Sequence, residues 1–485
     1  MKPAIKSFVL MVLLFLSIFI SAFLTFVLAQ SGTNLSGVID SDSTWTRSGS
    51  PYSLTGPVAI VQGITLTIEQ GTTVNLNSYY MQINGTLHAI GIESEKVTFN
   101  GGQIIFTLTS NGWAEQAKSG CIIENALINQ TLISSNNPIK IDKCIINSQI
   151  SVTSSIISNN VVTGEIRSSS PIGSGAVDSS IISNNNVKGK IVLGSVSLGA
   201  ISAPSESSTV SNNIVEGSII SGSPQGIPQI FNNIVTEGGI GCDGYANIFN
   251  NYVYGCQNGI SLYTMRVFGG NLPCYATVQN NKVTENSVGI SISLSSVNGG
   301  ATQTPTILNN TISSNKFGIS LSGFGYDKTP TIQYNNLQDN SDYNFYLQES
   351  NNADVSYNWW GTTDESIISK SIYDYKNDFN LGKVTFTPIL NSPNTQTSNV
   401  TFPNQTALPN PNPTITTSSN STITSATNPP VSTNTSMPSQ PETNPNSITL
   451  PLNLFILIIA TLGLALVILS VLVFRPHKRT QSNQT

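Results

Sequence analysis

The chain predicts an all-β solenoid, and three patterns carry that expectation. An asparagine recurs nine times, a pair of apolar residues recurs with it, and a glycine-led strand follows some of the copies at a fixed offset. The asparagines are Asn160, Asn185, Asn213, Asn233, Asn251, Asn281, Asn310, Asn335 and Asn358. Three residues before each stands a β-branched residue: Ile157, Ile182, Val210, Ile230, Ile248, Val278, Ile307, Ile332 or Val355. Two residues after each stands an apolar one: Val162, Val187, Val215, Val235, Val253, Val283, Ile312, Leu337 or Trp360. In a chain that is only 39% hydrophobic, that coincidence marks a repeat. Its period, 18 to 30 residues, is that of a solenoid.

β-branched residues favour strands. An apolar pair at minus three and plus two breaks strict alternation, which predicts two short strands meeting at a corner. The asparagine is placed at that corner, where it tolerates bent backbone. Parallel strands repeat every ~4.8 Å, so equivalent asparagines would hydrogen-bond along the stack. Gly259, Gly289 and Gly318 each lie eight residues after a repeat asparagine and open similar strands, Gly259-Ile-Ser-Leu262, Gly289-Ile-Ser-Ile292 and Gly318-Ile-Ser-Leu321. Asn344-Phe-Tyr-Leu347 reads as a fourth copy with one residue inserted. A glycine at a fixed offset implies φ > 0 or a close backbone approach. Each coil then holds about three strands. Residues 296–300 and 323–327 are polar or glycine-rich insertions between coils, where solenoids often place binding surfaces.

These residues carry a resemblance. Over about residues 120–360 the pattern resembles the right-handed parallel β-helix of the pectin-lyase-like superfamily, with its asparagine ladder. Thr65-Leu-Thr-Ile-Glu-Gln-Gly-Thr-Thr-Val74 and Ile83-Asn-Gly-Thr-Leu-His-Ala89 are similar to the opening coils of archaeal and bacterial surface β-helix proteins, with Gln70 where that pattern has proline. Tyr357-Asn-Trp-Trp-Gly-Thr362, Asp374 and Val384-Thr-Phe-Thr-Pro-Ile389 resemble their closing segment. The group includes NosD-like, copper-processing proteins. The resemblance implies the fold; the fold hosts many activities and does not imply one. Between residues 100 and 155 the ladder is hard to register: Asn125 fits, with Ile122 before and Leu127 after, and Asn147 does not.

The ends predict an exported, anchored protein. Residues 7–28 are apolar behind Lys2 and Lys6, and Val27-Leu-Ala29 suits cleavage, so 1–29 reads as a signal peptide; retention as an anchor is the alternative. The β-helix is expected over 30–390. Residues 391–449, rich in Asn, Pro, Thr and Ser, cannot bury enough apolar surface to fold and read as a disordered stalk. Extended at ~3.1 Å per residue, it would reach on the order of 100–180 Å. Residues 450–474 are long and apolar enough for a transmembrane helix. The basic tail 475–485 (Arg475, His477, Lys478, Arg479) is placed in the cytoplasm, with the β-helix outside the cell membrane. Glycosylation candidates are Asn34, Asn84, Asn129 and Asn309, and Asn399, Asn404, Asn420 and Asn434 in the stalk.

Charged residues are only 9% of the chain. Lys2, Lys6, Arg475, Lys478 and Arg479 flank the apolar segments, which leaves 15 of the 20 Lys and Arg against all 25 Asp and Glu between them, a net charge of about −10. That argues against nucleic acid as a partner. Five cysteines suit an exported protein. Cys121 could stack on Cys144, and one bridge could form among Cys242, Cys256 and Cys274; buried thiols are the other reading.

Catalytic sets are poorly represented. A lyase of this fold, as the resemblance implies, uses acidic calcium ligands and a basic proton acceptor. The candidates are Asp243 and Arg266, but no cluster of carboxylates surrounds them in sequence, and the reading taken is a solvated turn pair. The other β-helix arginines are Arg47 and Arg167. Hydrolases need two placed carboxylates, and the Asp-Asp pair and Gly-His-Gly motif of polygalacturonase-like enzymes do not occur. The histidines are His88 and His477, too few for a His-based metal site or a Ser-His-Asp triad. No catalytic, metal or cofactor residue is assigned; Asp339-Asn340-Ser341-Asp342 is the one stretch that would take calcium, or else is a hydrated turn. Trp359 and Trp360 would stack on a sugar or plug the last coil. Tyr252, Tyr254, Tyr263 and Tyr275, if they share a face, would stack on glycans. The expected function is therefore a non-catalytic surface protein for envelope structure or recognition of surface polysaccharide or envelope proteins. The alternatives are a tethered polysaccharide lyase or hydrolase and, less supported by ligands, a NosD-like metal-processing protein.

Overall fold

A computed structural model of the chain describes residues 32–397, apart from 170–177, 195, 198–199, 202–207, 223–225, 268–269, 273, 296–303 and 325–327, together with positions 11, 14 and 17. The stalk beyond residue 397 with its four sequons, the apolar span 450–474, the basic tail and nearly all of segment 1–29 lie outside the described residues, as do both expected insertions in large part. Among the described residues no helix is long and apolar enough to cross a membrane.

Residues 32–397 form a parallel β-helix with three faces. The first face is a sheet of thirteen strands, from Ser43–Trp45 to Thr331–Gln333, all paired in parallel with the coil before and after. The second and third faces belong to one 25-strand sheet. In the opening coils one long strand, such as Thr73–Ile83 or Val97–Phe106, runs through both faces with a break in register at the bend. From Ala126 onward two short strands replace it: Tyr252–Tyr254 and Asn258–Tyr263 occupy the second and third faces of one coil. Two antiparallel excursions leave the stack, Val196–Ser197 with Ala200–Ile201 and Met265–Val267 with Gly270–Leu272.

The repeat residues point inward. Every minus-three residue from Ile157 to Val355, and every plus-two residue from Val162 to Trp360, is buried. The asparagines lie between them and are buried too. Each interior amide is fully used. Asn185 Oδ1 accepts from the backbone N–H and the Nδ2 of Asn160, both at 3.0 Å. Its own Nδ2 donates to Asn213 Oδ1 at 3.0 Å and to the carbonyl of Ile157 at 2.9 Å. Two donors and two lone pairs are the whole capacity of a carboxamide, so the ladder from Asn160 to Asn358 buries polar groups without leaving them unpaired.

Two details differ from the sequence expectation. The bent backbone belongs to the residue before the ladder asparagine: Asn159, Asn184, Asn212, Asn232, Asn250, Asn280, Asn309, Tyr334 and Tyr357 all have φ between 54° and 60°. Asparagine tolerates that left-handed conformation better than other non-glycine residues, which explains the repeated Asn-Asn pairs. The assignment of Asn125 to the ladder is also off by one. Ile123, Ile141 and Ile157 share a register, so the ladder positions are Ala126 and Cys144, and Asn125 is the left-handed residue, with φ 48°. Cys144 substitutes for asparagine there. Its N–H donates to Asn160 Oδ1 at 2.8 Å, and its sulfur accepts from Ala126 N–H at 3.4 Å and lies 3.7 Å from the Ile123 carbonyl.

The other two corners carry ladders that the repeat analysis did not contain. Between the second and third faces run Asn286, Asn315 and Asn340, linked Nδ2 to Oδ1 at 2.9–3.0 Å, with the N–H of Cys256 donating to Asn286 Oδ1. Gly259, Gly289 and Gly318 sit against this ladder. None has positive φ; an added Cβ at Gly289 would lie 2.6 Å from the Gly318 carbonyl oxygen and 2.9 Å from Asn315 Nδ2. The glycines therefore serve close approach. At the third corner Ser155, Ser180 and Ser208 receive the N–H of Ile139, Ser155 and Ser180 at 3.0–3.2 Å. Buried Asp178 accepts from Ser154 N–H and from the hydroxyls of Ser168 and Ser180 at 2.6–2.8 Å.

The C-terminal end of the stack is closed by residues 353–390. Ala353–Asp354 pairs with Val384–Thr385, and Ile372–Tyr373 adds to Phe345–Tyr346. The helix Glu365–Lys370 starts at Asp364, whose carboxylate caps Ser366 N–H, and turns Ile368 inward. Trp360 is 3% exposed and meets Phe386 edge-on at 6.2 Å, so it plugs the last coil. Open solenoid ends need such a cover.

Asn281→Ala unpairs groups above and below it and is expected to lower unfolding free energy by ~1–3 kcal/mol, against less than ~0.5 kcal/mol for exposed Gln257→Ala. Gly289→Ala is expected to cost ~1–3 kcal/mol through overpacking. Denaturant titration checks both, and equal costs at positions 281 and 257 would contradict the ladder.

Candidate functional site

The four tyrosines expected to share a face do not. Tyr275 lies on the first face, Tyr252 and Tyr254 on the second, and Tyr263 ends a strand of the third. They are close in sequence, but one coil visits all three faces. Tyr275 stacks on Tyr245 at 4.4 Å, beside a second stack of Phe231 on Phe249 at 4.8 Å. Tyr252 contacts Tyr254 at 4.6 Å, and Lys282 Nζ lies 5.0 Å from the Tyr252 ring.

The largest outward aromatic group lies elsewhere, on the last coils of the third face. Strands Phe317–Phe324, Tyr343–Gln348 and Ile372–Tyr373 stack in parallel, with Phe317 opposite Tyr343 and Tyr346 opposite Tyr373. Alternation puts Ile319, Phe345 and Ile372 in the core and leaves the other rings partly exposed on the outer side. Ring centroids are 4.8 Å apart for Phe317–Tyr346 and for Tyr346–Tyr373, and 5.2 Å for Tyr343–Tyr373. Lys316 Nζ lies 5.2 Å from the Phe317 ring and 3.8 Å from an Asp342 oxygen. Exposed Gln348, which accepts from buried Ser320 at 2.9 Å, supplies a carboxamide at the edge. The result is a partly exposed cluster across three coils, with Phe317 and Tyr346 stacked and Tyr373 tilted by 48° to Tyr346 and 66° to Tyr343, bordered by exposed Lys316, Asp342 and Gln348. The signal was present in the sequence as aromatic residues at outward positions of the glycine-led strands, but only register brings them together.

The arginines of the described coils are paired. Arg47 is ion-paired with Glu95, and Arg167 lies 2.6 Å from Glu165. Asp243 is 5% exposed. Arg266 belongs to the hairpin Met265–Val267 that leaves the stack after Tyr263. His88 lines a shallow depression with Thr67, Glu69 and Ile90. Among the described residues no three His, Cys, Asp or Glu side chains come together to hold a metal. In the acidic turn, Asp339 accepts from Gln338, Asn340 belongs to the second ladder and Asp342 faces Lys316. Trp359 donates from Nε1 to Gln338 at 2.7 Å.

All five cysteines are buried free thiols. Burial pushes Cys121 and Cys256 up to about 11 and Cys144 up to about 12, so these remain protonated and are poor copper ligands. Cys121 bonds Leu87 N–H and the Gly85 carbonyl, at a corner other than that of Cys144, so the two do not stack as neighbours.

Of the sequons in the described residues, Asn34 is exposed. Asn84 Oδ1 accepts from Gln82 and Thr107. Asn129 is one rung of an outer ladder, Asn75, Asn100, Asn129 and Asn147, spaced at 3.0–3.1 Å. Asn309 Oδ1 accepts from Asn394, in a segment that folds back over Tyr334 and Asn336. No family model and no curated protein matches the chain.

Burial raises two carboxyls, Asp243 and Glu349, to about 7, and one oxygen of each lacks a partner. Their unfolded values are ~4, so between the two the folded state binds more protons. Stability from these groups is full below pH ~4 and is lost as pH rises toward about 7. D243N/E349Q is expected to flatten the pH dependence of the melting temperature across that window; an unchanged profile would place both groups in water.

Proposed function

We propose that the chain is a single-pass surface protein whose right-handed parallel β-helix, of the pectin-lyase-like kind, stands outside the cell membrane on the stalk 391–449 and binds glycans without cleaving them. The observation that carries this reading is the platform of Phe317, Tyr343, Tyr346 and Tyr373. A partly exposed cluster of stacked and tilted rings offers ring edges and its outermost faces to the apolar C–H faces of sugar rings, and carboxamide and charged groups at the border suit their hydroxyls. Such a surface binds weakly per ring, and repetition along a polymer adds avidity. The apolar run at 450–474 followed by basic residues supports the anchor, and the Pro/Thr/Ser/Asn-rich segment supports the stalk.

Glycan-array binding by the soluble β-helix tests the reading. Tyr346→Ala with Tyr373→Ala is expected to weaken the best ligand roughly tenfold at unchanged melting temperature. Flat arrays, or binding indifferent to both rings, would leave only an envelope-structural role.

A further inference from the structure

Cys242 and Cys274 are separated by 31 residues in sequence and converge on one peptide unit in space. Cys242 ends the strand Gly239–Cys242 on the third face, with its side chain inward. Cys274 immediately precedes Tyr275–Gln279 on the first face of the next coil, also buried. The strand pairing Tyr245↔Tyr275 places Gly244 beside Cys274, and Tyr275 N–H donates to the Gly244 carbonyl at 2.8 Å. Cys242 Sγ reaches the same carbonyl at 3.7 Å. Cys274 adjoins Tyr275, whose N–H shares that carbonyl, so both buried side chains border one peptide unit.

The other cysteines are committed elsewhere. The N–H of Cys144 and of Cys256 each meets the head of an asparagine ladder, and Cys121 bonds Leu87 and Gly85. We propose that Cys242 and Cys274 are a disulfide-forming pair that ties adjacent coils at the base of the hairpin Met265–Leu272, and that Cys121, Cys144 and Cys256 stay reduced. Cys242 pairs with Leu262 of the next coil and Cys274 adjoins Gly244 of the preceding one, so the two cysteines occupy the same corner of adjacent coils.

The chemistry balances with a disulfide donor. The Cys274 thiolate attacks a donor sulfur, one donor thiol leaves, and the Cys242 thiolate then displaces the second, forming Sγ–Sγ; the two cysteine protons end on the donor, which is reduced to two thiols. The exchange balances equally with the two cysteines in the opposite order. Both groups are closed to solvent in the finished coil, so oxidation accompanies folding.

The inference rests on the export reading for its natural oxidant, and the test separates the two. The full chain is isolated from membranes, alkylated under denaturing conditions without reduction, digested and mapped by mass. The same preparation is reduced, unfolded and refolded with glutathione disulfide, then mapped alike. The expected result is a linked Cys242–Cys274 peptide, about 2 Da lighter than its two thiol peptides together, with alkylated Cys121, Cys144 and Cys256. The link in the refolded arm alone supports the pair and counts against export. No link in either arm, or a link through Cys256 or Cys121, overturns the proposal. C242S/C274S provides a second reading: dithiothreitol is expected to lower the melting temperature of the oxidised parent and to leave that of the double variant unchanged. A parent indifferent to dithiothreitol would also overturn it.

Discussion

A buried carboxamide is acceptable in an apolar core only when both its donors and both its lone pairs are met, and the stacked coil meets them by repetition. Asn185 takes its acceptors' partners from the coil above and gives its donors to the coils on either side. The consequence is a register lock. A coil that slipped by one residue would strand four hydrogen-bonding positions in a core of isoleucine and valine, a cost larger than any single strand pair returns. The aliphatic columns supply the burial; the amides select one way to align them. The same logic, with other residues, holds the remaining corners, where Asn286–Asn315–Asn340 and Ser155–Ser180–Ser208 receive backbone N–H groups from their neighbours.

Cysteine enters this scheme as a ladder terminus. Cys144 and Cys256 occupy the positions above Asn160 and Asn286 and donate their backbone N–H to the first amide; Cys144 presents its sulfur to the coil above, and Cys256 bonds the Tyr254 carbonyl of its own coil. A thiol is small, buries readily and makes weak hydrogen bonds, so it fits where the ladder must end against a coil with no amide, such as the one carrying Ala126. This accounts for two of the five cysteines without redox chemistry and isolates Cys242 and Cys274 as different in kind.

Much of the fold was legible because inward residues repeat. The minus-three and plus-two positions are inward at every coil, and Trp360 in the last plus-two position forecast the plug. The left-handed residue was also visible, as the first asparagine of each Asn-Asn pair, but a single chain does not say which of two adjacent asparagines is bent and which is buried. The second ladder was hidden by its shortness: Asn286, Asn315 and Asn340 each lie five residues after a first-ladder asparagine, over three coils only. The aromatic platform was least legible. Phe317, Tyr343, Tyr346 and Tyr373 fall at unequal spacings in sequence, and the insertions that make them unequal vanish only once the coils are in register. Tyr252, Tyr254, Tyr263 and Tyr275, close in sequence, were separated by the same geometry onto three faces.

The claim on which the account depends is that the ladder amides are interior structure, opened only when the stack opens. Hydrogen exchange of the asparagine Nδ2 protons, read by nitrogen-15 NMR on the folded β-helix, tests it directly. Asn185, Asn213, Asn233, Asn251, Asn281 and Asn310 should exchange as slowly as the backbone N–H groups of the strands around them, because both require the same opening. Exchange of those side-chain protons at the rate of exposed amides, with the backbone still protected, would show that the ladder is not made and that the aliphatic columns hold the register alone.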